Sequence, residues 1–405
     1  MELKKYKLGD IAKIEISGVD KKSVDGETPV RLCNFVDVYR NWAITQKLSE
    51  NFMIASAKET EIAKCSIHKG KVAITKDSET RDDIGIPAYI ADDFDNVLLG
   101  YHCALITPND DVLDGKYLNA FMHTRYIQKY FENNASGSGQ RYTLSNETIF
   151  QIPILLPSLE VQKAIGNLLS NIDRKIELNR QINDNLEKMA KQLYDYWFVQ
   201  FDFPNENGRP YKSSGGAMVW NEKLKREIPK EWDNCTLEYY LIIKNGRDHK
   251  HLGNGIYPVY GSGGEIRKVD SFIYSGESIL MPRKGSLNNI MYVNDAFWSV
   301  DTMFYSEMKQ PHCVKYVFYS IKDIDFTRWD SGTGVPSMTS STLYSILLVK
   351  PDADSLAKFD EIITPLFLMI KKNEMQIVEL TKQRDDLLPL LMNGQASVNY
   401  HLSHD

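Results

Sequence analysis

A chain of 405 residues, 42% of them hydrophobic, 25% charged and 11% aromatic, can supply two or three domains with a core each. A net charge of −6 excludes nucleic-acid binding by global charge, so any such binding must come from local basic patches. No apolar run approaches the roughly 18–20 residues of a membrane span, no signal-peptide core follows Met1–Lys5, and five scattered cysteines without a C-x-x-C pair argue against a zinc site or disulfide framework and for a reducing cytoplasm.

In chain order, a first unit runs from the N-terminus to about Pro157. Apolar runs at Val72–Thr75 and Val97–Leu99 predict strands, and 116–131 predicts a helix. Ile152–Pro157 predicts a closing strand that its prolines place near a sheet edge or end. From Ser158 to about Trp197 the helical pattern is unbroken. Leu169, Ile176, Asn183, Ala190 and Trp197 take heptad position a, and Ile165, Ile172, Asn179, Leu186 and Leu193 take d. Phe198–Pro204 ends that helix, and a polar, glycine-rich connector follows through Asn205–Gly208 and Ser213–Gly216. A second unit starts near Ile228 and closes with Ile346–Pro351. The last helix, about 355–392, carries Ile363, Ile370 and Ile377 at a, and Phe359, Leu366, Asn373, Leu380 and Leu387 at d. Asn393-Gly394 is a helix stop, and Pro365 predicts a kink in the early turns.

The chain repeats itself. Ser136-Gly137-Ser138-Gly139 precedes the first closing strand and Ser331-Gly332-Thr333-Gly334 the second. From Pro157 and Pro351 onward the two stretches align without gaps, the offset being 351 − 157 = 194. Asn179 and Asn373 therefore share one heptad position, where a buried Asn sacrifices stability and fixes register; the alternative is an Asn facing solvent at a bundle edge. At about 1.5 Å per residue, a helix of about 38 residues makes a rod of about 57 Å.

Catalytic signatures are missing. The chain has no G-x-x-x-x-G-K-[ST] and no Pro-Pro-aromatic tetrad, and His249-Lys250-His251 has neither zincin nor zinc-finger spacing. Asp352 and Asp354 are expected as helix-entry acids. What the chain does carry is donor-rich loops. After one apolar strand come Arg283, Lys284, Ser286 and Asn288, with Ser262, Gly263, Gly264, Lys244 and Arg247 upstream. After another come Lys76, Ser78 and Arg81, joined by Gln140, Arg141 and Tyr142 and, in an earlier loop, Arg40. Arg suits guanine, Asn suits adenine, Lys suits phosphate, and glycine admits a phosphate to the backbone amides. Ordinary solvated turns are the competing reading, against which stands the recurrence of such loops at matching places.

Taken together, Gln162–Ile165 leading into Ile172–Ile176, Tyr196–Phe203, Ile228–Trp232, Tyr257–Gly264 and Pro282–Ser286 resemble the DNA-specificity subunit of a type I restriction–modification enzyme. The resemblance implies an α+β fold with two α/β target-recognition domains (1–157 and 231–351). Two long antiparallel coiled-coil helices (158–200 and 352–397) and a connector (201–230) separate them, with pseudo-two-fold symmetry. It implies helix pairing through Ile165, Ile172, Ile176, Asn179, Leu186, Leu193, Phe359, Leu366, Ile370, Asn373, Leu380 and Leu387. It further implies a non-catalytic chain that reads a bipartite, asymmetric double-stranded DNA site, with no cofactor or metal of its own. Two methyltransferase subunits would bring S-adenosylmethionine, and two restriction subunits ATP and magnesium. Two readings of other classes stay open: a degenerate methyltransferase or nuclease, and a coiled-coil scaffold that reads no DNA.

If the helices act as a ruler, inserting four residues into both lengthens each by about 6 Å. The gap between half-sites should then grow by one or two base pairs in a methylation assay; unchanged spacing contradicts the ruler.

Overall fold

The computed structural model describes residues 3–137, 139–329 and 336–398, so Ser138 and all of Ser331–Gly334 lie outside the described residues. The chain is α+β and divides into two units, Met1–Arg180 with Glu374–Asp405, and Gln181–Asn373. Two long helices, Leu159–Tyr194 and Ala353–Met392, each contribute residues to both.

In the first unit a five-stranded sheet has the order Ala12–Ile16, Cys103–Pro108, Val72–Thr75, Pro87–Ile90, Ala43–Ile44, antiparallel except at the last pair. Val72–Thr75 and Pro87–Ile90 are buried on both faces, which explains why they read as continuous apolar runs. A smaller sheet joins Met53–Ala57, Thr28–Cys33 and Val97–Leu99. Where one helix was expected over 116–131 there are two, Gly115–Met122 and Arg125–Asn134. Thr124 lies between them in an extended conformation, with its hydroxyl bonded back to the Phe121 carbonyl. The end of the C-terminal helix completes this core with Leu388, Leu391 and Met392. Arg384 lies over the Trp42 ring, 4.5 Å from its centroid, and Trp42 stacks on His123 at 4.1 Å.

The second unit has a six-stranded sheet of order Leu241–Asn245, Met303–Met308, Tyr274–Pro282, Met291–Ser299, Asn254–Gly261, Gly264–Val269. Its core is aromatic. Trp197, Phe198, Phe201 and Phe203 bury themselves against Trp232, Tyr316 and Phe359, with Phe198 4.9 Å from Phe359 and Phe203 4.5 Å from Trp232. The expected connector is built into this core. Phe203 stacks on Tyr211, and Met218–Asn221 pairs with Arg226–Pro229 to deliver buried Ile228. Lys315, whose side chain is 3% exposed, is matched by Glu277 at 2.6 Å and Asp360 at 2.9 Å, as a buried ammonium must be.

Within each unit the long helices run antiparallel along the predicted seam, whose a and d residues are all buried or half-buried. The two duplicated asparagines do not meet. Asn373 donates to Asn183 Oδ1 at 2.8 Å in the second unit, and Asn179 donates to Gln376 at 3.3 Å in the first. Antiparallel packing sets an a residue against a d residue, so equal heptad letters do not face each other. Pro365 leaves Ala353–Met392 an unbroken helix. Asp352 is the entry acid expected, accepting from the Ser355 amide at 2.8 Å and from Trp232 Nε1 at 2.8 Å.

Leu391 is 2% exposed and its neighbour Leu390 41%. Leu391→Ala should destabilise the first unit by about 2–5 kcal/mol and Leu390→Ala by less than about 0.5. Denaturant unfolding of the full chain checks both values.

Candidate nucleic-acid interface

The same backbone frame is built twice. In the first unit Thr75 pairs with Cys103, the Lys76 amide donates to the His102 carbonyl (2.7 Å), and the Leu144 amide donates to the Lys76 carbonyl (2.9 Å). In the second, Pro282 pairs with Met303, the Arg283 amide donates to the Thr302 carbonyl (2.8 Å), and the Met338 amide donates to the Arg283 carbonyl (2.9 Å). Asp77 lies opposite Thr143, and Lys284 opposite Ser337. Ser145 and Thr339 next cap five-residue helices, and the closing strands Pro153–Leu156 and Leu347–Lys350 pair with Lys4–Lys7 and Asp233–Thr236. A tyrosine hydroxyl then fastens each closing strand: Tyr117 donates to the Leu155 carbonyl at 2.7 Å, and Tyr316 to the Val349 carbonyl at 2.6 Å.

The frame gathers most of the predicted donors around the C-terminal end of a central strand in each sheet. In the second unit, Arg283 and Lys284 are exposed and share a cleft of ≈ 240 Å³ with Asn245, Phe304 and residues 337–340. The Arg283 guanidinium lies 5.9 Å from the Phe304 ring. The predicted glycine-rich turn arrives at the same loop, because Asn289 Nδ2 donates to the Ser262 carbonyl at 2.9 Å. A Cβ on Gly285, which has φ +90°, would come within 2.7 Å of the Ser262 hydroxyl. Gly263, exposed, and Gly264, half-buried, form the tip, where a Cβ would meet nothing within 4 Å. Ser286 is exposed, and its carbonyl receives the Asn289 amide. Arg247 is exposed and fixed through its backbone to Ser299 and Trp298.

Two predicted donors of this unit are already engaged. Lys244 faces Glu307 at 3.5 Å, and Asn288 holds the segment after Ile324 by accepting from the Phe326 amide (2.8 Å) and donating to Asp325 (3.2 Å).

In the first unit, Lys76 and Ser78 flank Asp77, and the short strand Asp77–Ser78 pairs with Tyr142–Thr143. Arg81 lies 5.0 Å from the Tyr142 ring centroid, a cation–π contact, and Gln140 and Arg141 are exposed on the adjoining turn. Arg40 is not in a loop. It ends the helix Phe35–Arg40, whose Tyr39 hydroxyl donates to Asp83 at 2.8 Å, two residues beyond Arg81.

Sequence reasoning passed over Asp77 and His102. His102 Nδ1 bonds the Asp77 carboxylate, and one Arg141 Nη lies against the imidazole, 2.7 Å from Nδ1 and 3.0 Å from Nε2, and reaches Asp77 at 3.5 Å. Burial works to raise the Asp77 pKa, but the Thr143 hydroxyl and the His102 imidazole bring it below the usual carboxylate range. His102 adopts φ +70°, a left-handed conformation uncommon outside glycine. No local signal could have found the pair, since the two residues lie 25 apart and meet only through the sheet. Among the described residues no cluster of His, Cys, Asp and Glu could hold a metal, and no helix is long and apolar enough to cross a membrane.

Residues 1–188 match the family model described as the Type I restriction modification DNA specificity domain. The chain is 26% identical over 378 residues to the Type I restriction enzyme MjaIX specificity subunit of Methanocaldococcus jannaschii, covering 84% of this chain and 81% of that protein. It is 31% identical over 141 residues to the HindI specificity subunit of Haemophilus influenzae, covering 35% and 30%. Among solved structures, the type I restriction–modification S subunit from M. genitalium shares the fold, with TM-score 0.61, 17% identity and 96% of each chain covered.

Since folding lowers the Asp77 pKa, its ionised form stabilises the first unit above the unfolded value of about 3.9. That contribution is lost as the pH falls through the folded value. The stability difference between the wild-type chain and Asp77→Asn should therefore be present at neutral pH and close on acidification below about 4. Denaturant titrations at each pH measure it; a difference that widens in acid contradicts the assignment.

Proposed function

We infer that this chain, which belongs to the type I restriction–modification DNA specificity subunits, reads a two-part, asymmetric DNA sequence and serves as the assembly platform for the subunits that act on it. The observation that carries the reading is the common backbone frame bearing unlike side chains. One frame presents Arg283, Lys284 and Ser286 with Ser262, Gly263, Gly264 and Arg247, and the other presents Lys76, Ser78, Arg81, Gln140, Arg141 and Tyr142. Equal frames with unequal donors suit two different base sequences. Phosphate contacts would fix the position of each unit, and a few side chains would specify bases. Arg40, at a helix end, and Lys244 and Asn288, already paired with Glu307 and Asp325, join this set less directly.

On this reading, residues 1–157 and 231–351 are the recognition domains, and 158–200 and 352–397 the helical spacers. Catalysis belongs to partners. Two methyltransferase subunits with S-adenosylmethionine would modify adenine, which must leave the base stack to be methylated. Two ATP- and magnesium-dependent restriction subunits would complete the assembly in the cytoplasm.

Exchanging residues 1–157 for those of another family member should change one part of the methylated sequence and leave the other intact. Genome-wide sequencing of methylated adenines reads the result. A pattern indifferent to the exchange, or methylation by the purified chain alone, overturns the proposal.

A further inference from the structure

We propose that Arg141 reads a guanine in the part of the site recognised by the first unit, and that Asp77 and His102 are its positioning residues. The inference rests on the DNA-reading function proposed above and names one specificity determinant within it. Three observations carry it. The carboxylate is nearly enclosed, its side chain 13% exposed, while the Arg141 side chain is 60% exposed. His102 Nδ1 meets the Asp77 carboxylate, and one Arg141 Nη lies against the same imidazole, 2.7 Å from Nδ1 and 3.0 Å from Nε2, and 3.5 Å from Asp77. These contacts use one Nη of the guanidinium and leave its remaining N–H groups for solvent or a ligand.

The charge balance favours a base edge over a phosphate. A phosphate anchor needs net positive charge, and a carboxylate 3.5 Å from the guanidinium cancels most of it. A base edge needs donors held in a fixed plane. Guanine presents two acceptors, O6 and N7, in the major groove, and a fixed guanidinium matches both. The twin frame supplies the contrast. Where the first unit has Asp77 opposite Thr143, the second has Lys284 opposite Ser337, and where the first has His102 the second has Thr302. Lys284 is exposed and suits a phosphate, so the frame position that anchors in one unit orients in the other.

The test uses the tagged full chain, purified from its source cells with the proteins it carries. The preparation methylates a library of randomised double-stranded DNA with S-adenosylmethionine, and the methylated motif is sequenced. Arg141→Lys keeps the charge and loses the planar fork on an exposed side chain, so folding is not at stake. It should relax one guanine of one part by about tenfold or more and leave every other position unchanged. His102→Phe keeps the ring and loses both bonds, and should relax that same guanine; His102→Gln restores a donor and an acceptor and should recover the preference. An unchanged motif, a uniform loss of methylation with Arg141→Lys, relaxation at a base other than guanine, or His102→Gln behaving as His102→Phe would each overturn the inference. If the wild-type preparation yields no motif, the DNA-reading function itself fails and the inference with it, an outcome distinct from the others.

Discussion

Everything at the two candidate reading edges hangs on one backbone hydrogen bond in each unit, from Leu144 N–H to the Lys76 carbonyl and from Met338 N–H to the Arg283 carbonyl. It ties the loop that leaves a central strand to the segment entering the closing strand. Because only main-chain atoms take part, the bond places Lys76 and Arg283 identically without specifying a side chain. Leu144 and Met338 are buried behind it, at 0% and 2% exposure, so apolar burial supports a contact that water would otherwise weaken. A frame of this kind separates fold from specificity. Side chains at the edge can change without a change in backbone.

Electrostatics are arranged locally in the same spirit. A chain of net charge −6 cannot attract a polyanion as a whole, so any such attraction must come from local cations. Carboxylates nearby are then not neutral bystanders. Glu307 takes up Lys244 and Asp325 takes up Asn288, whereas Asp77 is itself held by Thr143 and His102 and acts on Arg141. Which donors remain open is a result of these pairings and does not follow from residue type.

The helical part was the most legible. Heptad spacing from Ile165 to Leu193 and from Phe359 to Leu387 places residues that are all buried or half-buried, because a seam is a strictly local pattern. The partners across the seam were not legible. Asn179 and Asn373 share one position of the repeat, yet antiparallel packing gives Asn373 to Asn183 and Asn179 to Gln376. In the stretch after Phe203, glycine and polar residues read as a connector. Phe203, Tyr211 and Ile228 are spaced through it and fold it onto the aromatic core, a tertiary effect that local polarity conceals.

At the sites, the apolar strands, the donor-rich loops after them and the repeat itself were present in the order of residues. Each depends on neighbours a few positions apart or on an offset that can be counted. The second half of the frame could not be read in this way. Tyr117 and Tyr316 perform one task at an offset of 316 − 117 = 199 residues, outside the 194 that relates the closing strands, and no alignment of endings would pair them. His102 joins Asp77 and Arg141 only because antiparallel strands carry the Tyr101–His102 turn to the edge where Lys76 departs. The sequence alone therefore determined the periodic elements and their duplication. Pairing across sheets, which brings distant residues within hydrogen-bond reach, decided which side chains stand together and which of them stay open to a ligand.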